Sequence, residues 1–393
     1  IRDSATQAFT AIAGKNLLVQ GNHTLDIVAL SHPGSGLQAG GDLILRSGNT
    51  VNGDAHFQAG GRFRVEQLTG ELGNLYSPQD PVILTSGNVE LGNYTGASLH
   101  ILAGGSVTLG NVTITGSDTT GNAIGPSNSL SSFAGVTLSN GTRLTVDGAT
   151  QATLDIRAGI DWSQLGGFLG EKVLGSIPNP QPAFPLSSFS PTSATIQIGS
   201  ITNSENAGAR KSGQVLITNQ YYPNLNLPGG DITVASILTS PNQNSLTAGI
   251  NNGGNITIDS RSNLSLNGPI NTSVDTSSSS SSAGEVFLQA GQNIFLNGSI
   301  DTSADSTSGS LQANGGDVDI EAGGNILLTS DSDILTRGVV SGFVRLAGGG
   351  TITLQSSTID TTTGSGSGNA GSIWLQGSKV TLSNGSLLDA ATQ

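Results

Sequence analysis

The stretch Gly284-Glu285-Val286-Phe287-Leu288-Gln289-Ala290-Gly291-Gln292-Asn293-Ile294-Phe295-Leu296-Asn297-Gly298-Ser299-Ile300 decides the fold. Its aliphatic residues Val286, Leu288, Ile294, Leu296 and Ile300 stand at offsets 2, 4, 10, 12 and 16 from Gly284. Two aliphatic residues separated by one position share a face of an extended strand, because successive strand side chains point to opposite sides. The same offsets return from Gly254, as Ile256, Ile258, Leu264, Leu266 and Ile270. Gly316 and Gly342 repeat the first four, through Val318, Ile320, Ile326 and Leu328, then Val344, Leu346, Ile352 and Leu354. Gly371 opens the same way with Ile373 and Leu375 before slipping by one residue to Val380 and Leu382.

The five origin glycines lie 30, 32, 26 and 29 residues apart, a spacing typical of solenoid coils. Three short strands and a variable return segment per unit predict an all-β fold, a right-handed parallel β-helix with three faces. No 3.6-residue stripe fits pairs set two apart and broken by glycine. A coil of this size cannot hold itself together, so stability has to come from stacked neighbours.

Working outward, Ala39-Gly40-Gly41-Asp42-Leu43-Ile44-Leu45 and Ala103-Gly104-Gly105-Ser106-Val107-Thr108-Leu109 match Ala322-Gly323-Gly324-Asn325-Ile326-Leu327-Leu328. Gly135-Val136-Thr137-Leu138-Ser139-Asn140-Gly141 likewise matches Lys379-Val380-Thr381-Leu382-Ser383-Asn384-Gly385. Residues 1–162 are therefore expected to form less regular coils and residues 193–393 regular ones. Between them, residues 163–192 carry five prolines, which a stacked ladder does not accept. That segment is expected to be an extra-helical insertion over the solenoid wall, with a short helix at 167–174.

Turn chemistry fits the same plan. Asn140-Gly141, Asn267-Gly268, Asn297-Gly298 and Asn384-Gly385 each follow a strand, where a sharp corner favours residues that tolerate positive φ. Asn263, Asn293 and Asn325 share offset 9 in three successive coils. They are either ordinary turn asparagines or a hydrogen-bonded ladder along one corner. The variable segments, including the serine run 277–282 and residues 303–310, are expected to be polar excursions of free length.

Composition excludes several functions. The 393 residues contain no cysteine and no methionine, which removes disulfides, thiol chemistry and thiolate metal sites. A formal charge of −13 disfavours nucleic acid as a partner. No apolar run is long enough for a transmembrane helix, and the chain starts Ile1-Arg2-Asp3 without a signal-peptide pattern.

Catalysis finds little material. Neither Asp-Asp nor Gly-His-Gly occurs, although β-helical galacturonan hydrolases need clustered aspartates. The nearest acidic groupings, Asp331 with Asp333 near Arg337 and Asp301 with Asp305, read as solvated loop acids. His23, His32, His56 and His100 lack metal-ligand spacing and read as outward strand positions. No enzyme activity and no cofactor is expected. Trp374, Tyr94, Tyr221, Tyr222 and Trp162 are candidates for stacking on sugar rings wherever they point outward, and Trp374 does so by its place between Ile373 and Leu375. The sequons at Asn22, Asn93, Asn111, Asn255 and Asn263 are accidents of an Asn- and Thr-rich chain.

The motifs Gly92-Asn93-Tyr94-Thr95-Gly96-Ala97-Ser98-Leu99-His100-Ile101-Leu102-Ala103-Gly104-Gly105, Ala158-Gly159-Ile160-Asp161-Trp162, Gly213-Gln214-Val215-Leu216-Ile217-Thr218-Asn219-Gln220-Tyr221 and Gly254-Asn255-Ile256-Thr257-Ile258-Asp259-Ser260-Arg261 resemble cyanobacterial proteins of the filamentous haemagglutinin family. The likeness runs over nearly the whole chain. It implies a large exoprotein passed through a dedicated outer-membrane barrel by two-partner secretion and folded outside the cell as a right-handed parallel β-helix. Members serve as adhesins, filaments or carriers of effector domains. The family's secretion domain with its Asn-Pro motifs is not evident, since Asn179-Pro180 lies in the insertion. The resemblance therefore implies an extracellular or cell-surface filament or adhesin stalk. Its expected partners are the secretion barrel, further copies stacked end to end, and a surface carbohydrate or cell receptor. A carbohydrate-binding or carbohydrate-acting β-helix and a stalk for an effector domain outside these residues are the alternatives. Open terminal coils, continued either by more chain or by another copy, are also expected.

Overall fold

The computed structural model describes residues 1–32, 34–118, 120, 123–128, 130–168, 190–203, 213–241, 252–276, 281–306, 313–329, 332–363 and 368–392. The chain is all-β and forms a parallel β-solenoid, divided into two compact units. The first comprises Ile1–Gly199 with Ile217–Gly230, the second Ser200–Leu216 with Asp231–Gln393. Most of the proline-rich segment, residues 169–189, lies outside the described residues, and so does most of the helix expected at 167–174.

In the second unit each offset pair is a strand. Asn255–Ser260, Val286–Ala290, Val318–Ala322, Val344–Gly348 and Ile373–Gln376 pair in parallel as one stack, with Ile256, Val286, Val318, Val344 and Ile373 in register. Leu264–Leu266, Ile294–Leu296, Ile326–Leu328, Thr351–Gln355 and Lys379–Ser383 make a second stack. Ile270–Asn271, Ile300–Asp301, Ile334–Leu335, Thr358–Asp360 and Leu387–Asp389 make a third. Ile294 and Leu296 are buried while Phe295 between them is exposed, as the alternation requires.

The origin glycines stand in a column where no larger residue fits. A Cβ on Gly254 would lie 2.7 Å from the Gly213 carbonyl oxygen, and one on Gly284, Gly316, Gly342 or Gly371 would overlap the carbonyl oxygen of the preceding glycine in the column. None of these glycines adopts positive φ, so close approach of stacked backbones selects them.

The same glycines close each coil. Thr272 Oγ1 donates to the Gly284 carbonyl at 2.7 Å, Thr302 to Gly316 at 2.6 Å, Thr336 to Gly342 at 2.8 Å and Thr361 to Gly371 at 3.0 Å. In return the glycine N–H groups donate to the threonine carbonyls, at 3.2, 2.8, 3.0 and 2.9 Å in the same order. Thr239 and Gly254 form the same clamp, with the hydroxyl bond at 2.8 Å. All five threonines are buried. Each variable excursion is thus pinched shut at its base.

The excursions are less featureless than composition suggests. Val274–Thr276 pairs in parallel with Ala304–Ser306, and Ser281–Ser282 with Ala313–Asn314. Val274, Ala283, Ala304 and Ala313 form a small apolar cluster against Val339. The rest of the serine run, 277–280, and residues 307–310 lie outside the described residues.

The first unit follows the same principle with one bent strand. Val51–Ala59 pairs through its first half with Asp26–Ala29 and Leu75–Ser77, and through its second half with Gly36–Ala39 and Val82–Thr85. Leu17–Gly21, Leu43–Ser47 and Phe63–Gln67 stack beside it.

Two expectations fail. Gly135–Thr137 pairs antiparallel with Arg143–Thr145, so the stretch 135–141 is a hairpin outside the coils. Its likeness to 379–385 is a likeness of turn chemistry: Gly141 has φ 88° and Gly385 has φ 80°, but Lys379–Ser383 has a parallel coil to pair with. Gly268 and Gly298 do not use positive φ. A Cβ on Gly268 would sit 2.6 Å from the Ala235 carbonyl oxygen, and close stacking again selects glycine.

Thr302→Val keeps the shape of the clamp but leaves the buried Gly316 carbonyl without its hydroxyl donor, and should cost about 1–3 kcal/mol in urea unfolding. Thr353→Val, on the outward side of its strand, should change stability by less than about 0.5 kcal/mol. Equal effects would rule the clamp out. Ile294→Asp buries an unpaired charge and should cost several kcal/mol, whereas Asp319→Asn removes one surface partner of Arg345 and should cost about 1 kcal/mol or less. Thermal melts of the two variants check the register.

Candidate functional site

In the first unit the stack Gly36–Ala39, Val51–Ala59, Val82–Thr85, Leu99–Ala103 and Thr153–Arg157 turns Leu37, Phe57, Ile83, Ile101 and Ile156 inward. The outward columns are His56, Val82, His100 and Asp155, then Gln58, Leu84, Leu102 and Arg157. Every one of these outward residues is buried as well. Segments lying outside the coils cover them: Gln58 Nε2 donates to the Phe168 carbonyl at 3.2 Å, and Trp162 Nε1 donates to the Thr85 carbonyl at 2.8 Å. Trp162 packs edge-on against Phe168 and Phe133, with centroids 5.0 and 6.5 Å away.

Inside this second core lies a line of alternating charge. Asp80 Oδ2 is 3.1 Å from His100 Nε2, His100 Nδ1 is 3.1 Å from Asp155 Oδ2, and Arg157 holds Asp155 through Nε and Nη2 at 2.8 Å each. Arg157 Nη2 also donates to the Phe133 carbonyl at 2.8 Å, and its guanidinium lies 4.4 Å from the centre of the Tyr221 ring. The four charged side chains are 0% exposed. Burial would push the His100 imidazole down, but the charges and hydrogen bonds of Asp80 and Asp155 outweigh it and raise His100 to about 9. Burial lifts Asp80 to about 7 against the opposing pull of His100. Burial alone would raise Asp155 too, yet Arg157 and His100 hold it below the usual carboxylate range. This arrangement fixes protons and charge but meets no solvent, so its chemistry is that of an anchor. His100 stands outward on its strand, as its sequence position predicts, and nothing local in the sequence marks the cover above it.

The aromatic candidates divide. Tyr94 is wholly buried, in register with inward Leu75 and Val112, and its hydroxyl donates to the Ala97 carbonyl at 2.9 Å. The missing side chain of Gly96 makes room for it, since a Cβ there would lie 2.7 Å from the Tyr94 hydroxyl. Tyr221 is likewise buried, beneath Arg157. Tyr222 and Trp374 are each 44% exposed. Trp162 is buried.

Asn263, Asn293 and Asn325 do form a ladder, of mixed side-chain and backbone kind. Each Oδ1 accepts the backbone N–H one coil on: Asn293 to Asn263 at 3.2 Å, Asn325 to Asn293 at 2.9 Å and Thr351 to Asn325 at 2.7 Å. Asn293 Nδ2 adds an amide to Asn263 Oδ1 at 3.0 Å. Asp231 begins the row by accepting from Asn263 N at 3.0 Å. Asn16, Asp42, Asn74, Asn88 and Asn93 do the same in the first unit. Asn93, Asn255 and Asn263 of the sequons are therefore corner acceptors.

The described members of the acidic groupings serve as backbone acceptors or surface ion-pair partners. Asp333 Oδ1 accepts from Thr358 N at 2.7 Å, Asp301 Oδ1 from Ser303 N at 2.9 Å, and Arg337 lies 3.7 Å from Asp360. Asp331 and the side chain of Asp305 lie outside the described residues. Among the described residues no group of three His, Cys, Asp or Glu is arranged to hold a metal ion, and no helix is long and apolar enough to cross a membrane.

One outward face of the second unit is partly exposed among the described residues. Phe287, Asp319, Arg345 and Trp374 form one column across four strands, and Gln289, Glu321, Ala347 and Gln376 the next. Arg345 pairs with Asp319 at 2.7 Å and with Glu321, and its guanidinium lies 5.1 Å from the Trp374 ring. Where Ala347 stands between Glu321 and Gln376, the small residues Ala290, Ala322 and Gly348 floor an open depression of about 390 Å³. Among the described residues the buried Oε1 of Gln289, on its rim, has no hydrogen-bond donor. None of the sequence candidates lines it; Trp374 stands in the neighbouring column, beside Arg345.

No protein-family model, curated protein or solved structure matches this chain. Arg157→Leu would leave Asp155 as a buried anion and should cost about 3–5 kcal/mol, most of it recovered when Asp155→Leu is added. Chemical denaturation of the single and double variants measures both; a double variant as unstable as the single one would mean that Arg157 acts by packing alone.

Proposed function

We propose that this chain is a right-handed, three-faced β-helix from a secreted surface protein of the filamentous haemagglutinin type, working as rigid structure and as contact surface. The observation that carries this reading is the repeated closed coil, in which buried side chains serve stacking and the cluster of ionisable groups is sealed from solvent. Export through a two-partner secretion barrel and residence at the outer cell surface go with the resemblance. End-to-end self-association of such coils into a filament belongs to the same reading, since parallel coils stack on one another through open strand edges.

A second reading rests on the depression of the second unit. Two glutamine amides, a carboxylate and a small-residue floor, with the Trp374 indole in the neighbouring column, suit a neutral saccharide, which offers apolar ring faces and hydroxyl groups together.

Sedimentation velocity across a hundredfold range of concentration, with negative-stain images, tests the first reading. Particles that lengthen with concentration support it, and a compact monomer throughout overturns end-to-end assembly. Titration of Trp374 fluorescence with neutral oligosaccharides tests the second: saturable quenching lost in Gln289→Ala is expected, and no change up to millimolar sugar removes that reading.

A further inference from the structure

We propose that the described residues of 115–152 in the first unit form a strap held on the coil wall by the buried Asp80–His100–Asp155–Arg157 line, and that loss of a proton from this line opens the strap while the coils stay folded.

The strap is a body of its own. It contains the hairpin Gly135–Thr137 with Arg143–Thr145 and buries Ile124, Leu130, Phe133, Val136 and Val146. Internal bonds define it: Val146 N donates to Ala134 at 2.8 Å, Gly148 N to Ile124 at 2.9 Å and Asp118 N to Gly148 at 2.8 Å. Its attachment to the wall is polar. Ser98 Oγ donates to the Gly148 carbonyl at 3.0 Å and Arg157 to the Phe133 carbonyl at 2.8 Å. Gly148 lies so close to His100 Nε2 that a Cβ has no room. The strap therefore rests directly on the imidazole and the guanidinium.

With all four groups ionised the line is neutral, two anions alternating with two cations. Removing the His100 proton leaves Asp80 and Asp155 facing one cation. Asp155 keeps Arg157, so the uncompensated charge falls on Asp80. That carboxylate is wholly buried, and among the described residues its charged partner is His100, through Nε2 at 3.1 Å. A buried anion that has lost its cationic partner is costly, and the nearest route to water is displacement of the strap. Other ionisable groups around the line are Asp54 and Tyr94 on neighbouring strands, Asp118 and Asp147 on the strap, Tyr221 beside Arg157 and His56 on the wall. Asp118 adds negative potential at Asp80 and so works in the same direction. The sign follows from the raised His100. Its contribution is complete below the unfolded value of 6.5 and is lost as pH rises through about 9. Asp80, lifted to about 7, also favours the closed state less as pH rises.

Amide exchange on the full chain, expressed as protection relative to intrinsic rates, separates strap from coils. Between pH 7 and pH 10, protection at Val146 and Gly148 should fall at least tenfold while that at Ile101 and Ile156 holds. Asp80→Asn removes the stranded charge and should abolish the fall. His100→Gln removes the titrating imidazole and leaves Asp80 as the group that loses the proton, so the midpoint of the fall should move away from that of the parent, and this variant carries the test if Asp80→Asn does not fold. Trp162, against Phe133 of the strap, reports the same step by fluorescence in a Trp374→Phe background. Constant strap protection from pH 7 to 10, joint loss of strap and coil protection, or an unchanged step in Asp80→Asn would each overturn the proposal.

Discussion

Each coil of the second unit depends on one pair of hydrogen bonds, exchanged between a buried threonine and the glycine that opens the next coil. The pair satisfies a carbonyl and an N–H that would otherwise be orphaned at the point where the chain leaves the ladder. It also separates two problems. Ranks such as Ile256, Val286 and Val318 stack in register whatever happens between Thr272 and Gly284 or between Thr302 and Gly316. The excursions can therefore differ in length, and spacings of 30, 32, 26 and 29 residues coexist in one stack.

Glycine and asparagine perform complementary work around that clamp. Glycine columns let one coil's backbone rest on the next without an intervening Cβ, while Asn and Asp oxygens at the corners take up the N–H groups that the strands leave free. A chain with 57 glycines and 4% aromatic residues folds because backbone contacts, repeated coil after coil, replace a large side-chain core. Where the first unit builds a second core outside its coils, it does so with aromatic and charged residues: Phe133, Trp162, Phe168, His100 and Arg157.

Much of the fold was legible in sequence because strand alternation leaves a local trace. Ile294, Phe295 and Leu296 take the faces their spacing assigns, and offset 9 marks a true asparagine ladder. The threonine clamp was also written in the sequence, as Ile270-Asn271-Thr272, Ile300-Asp301-Thr302, Ile334-Leu335-Thr336 and Ile359-Asp360-Thr361, but its partner glycine follows at variable distance and so breaks the periodicity. The charged line was hidden for a different reason. Asp80, His100 and Asp155 become neighbours only through stacking, and alternation gives the side of a strand without saying what covers it. Tyr94 misled because a tyrosine replaces an aliphatic residue in an inward rank, made possible by Gly96.

Stacked backbones that admit no Cβ are the central claim, and the unfolding free energy of Gly316→Ala tests it most directly. A methyl group at this buried, negative-φ position would be tolerated if space alone were free, since alanine there carries no φ penalty. Overlap with the Gly284 carbonyl predicts destabilisation by at least about 2 kcal/mol, because the rigid ladder has to move to admit it. A Gly316→Ala chain as stable as the parent would contradict the glycine column and the coil closure built on it.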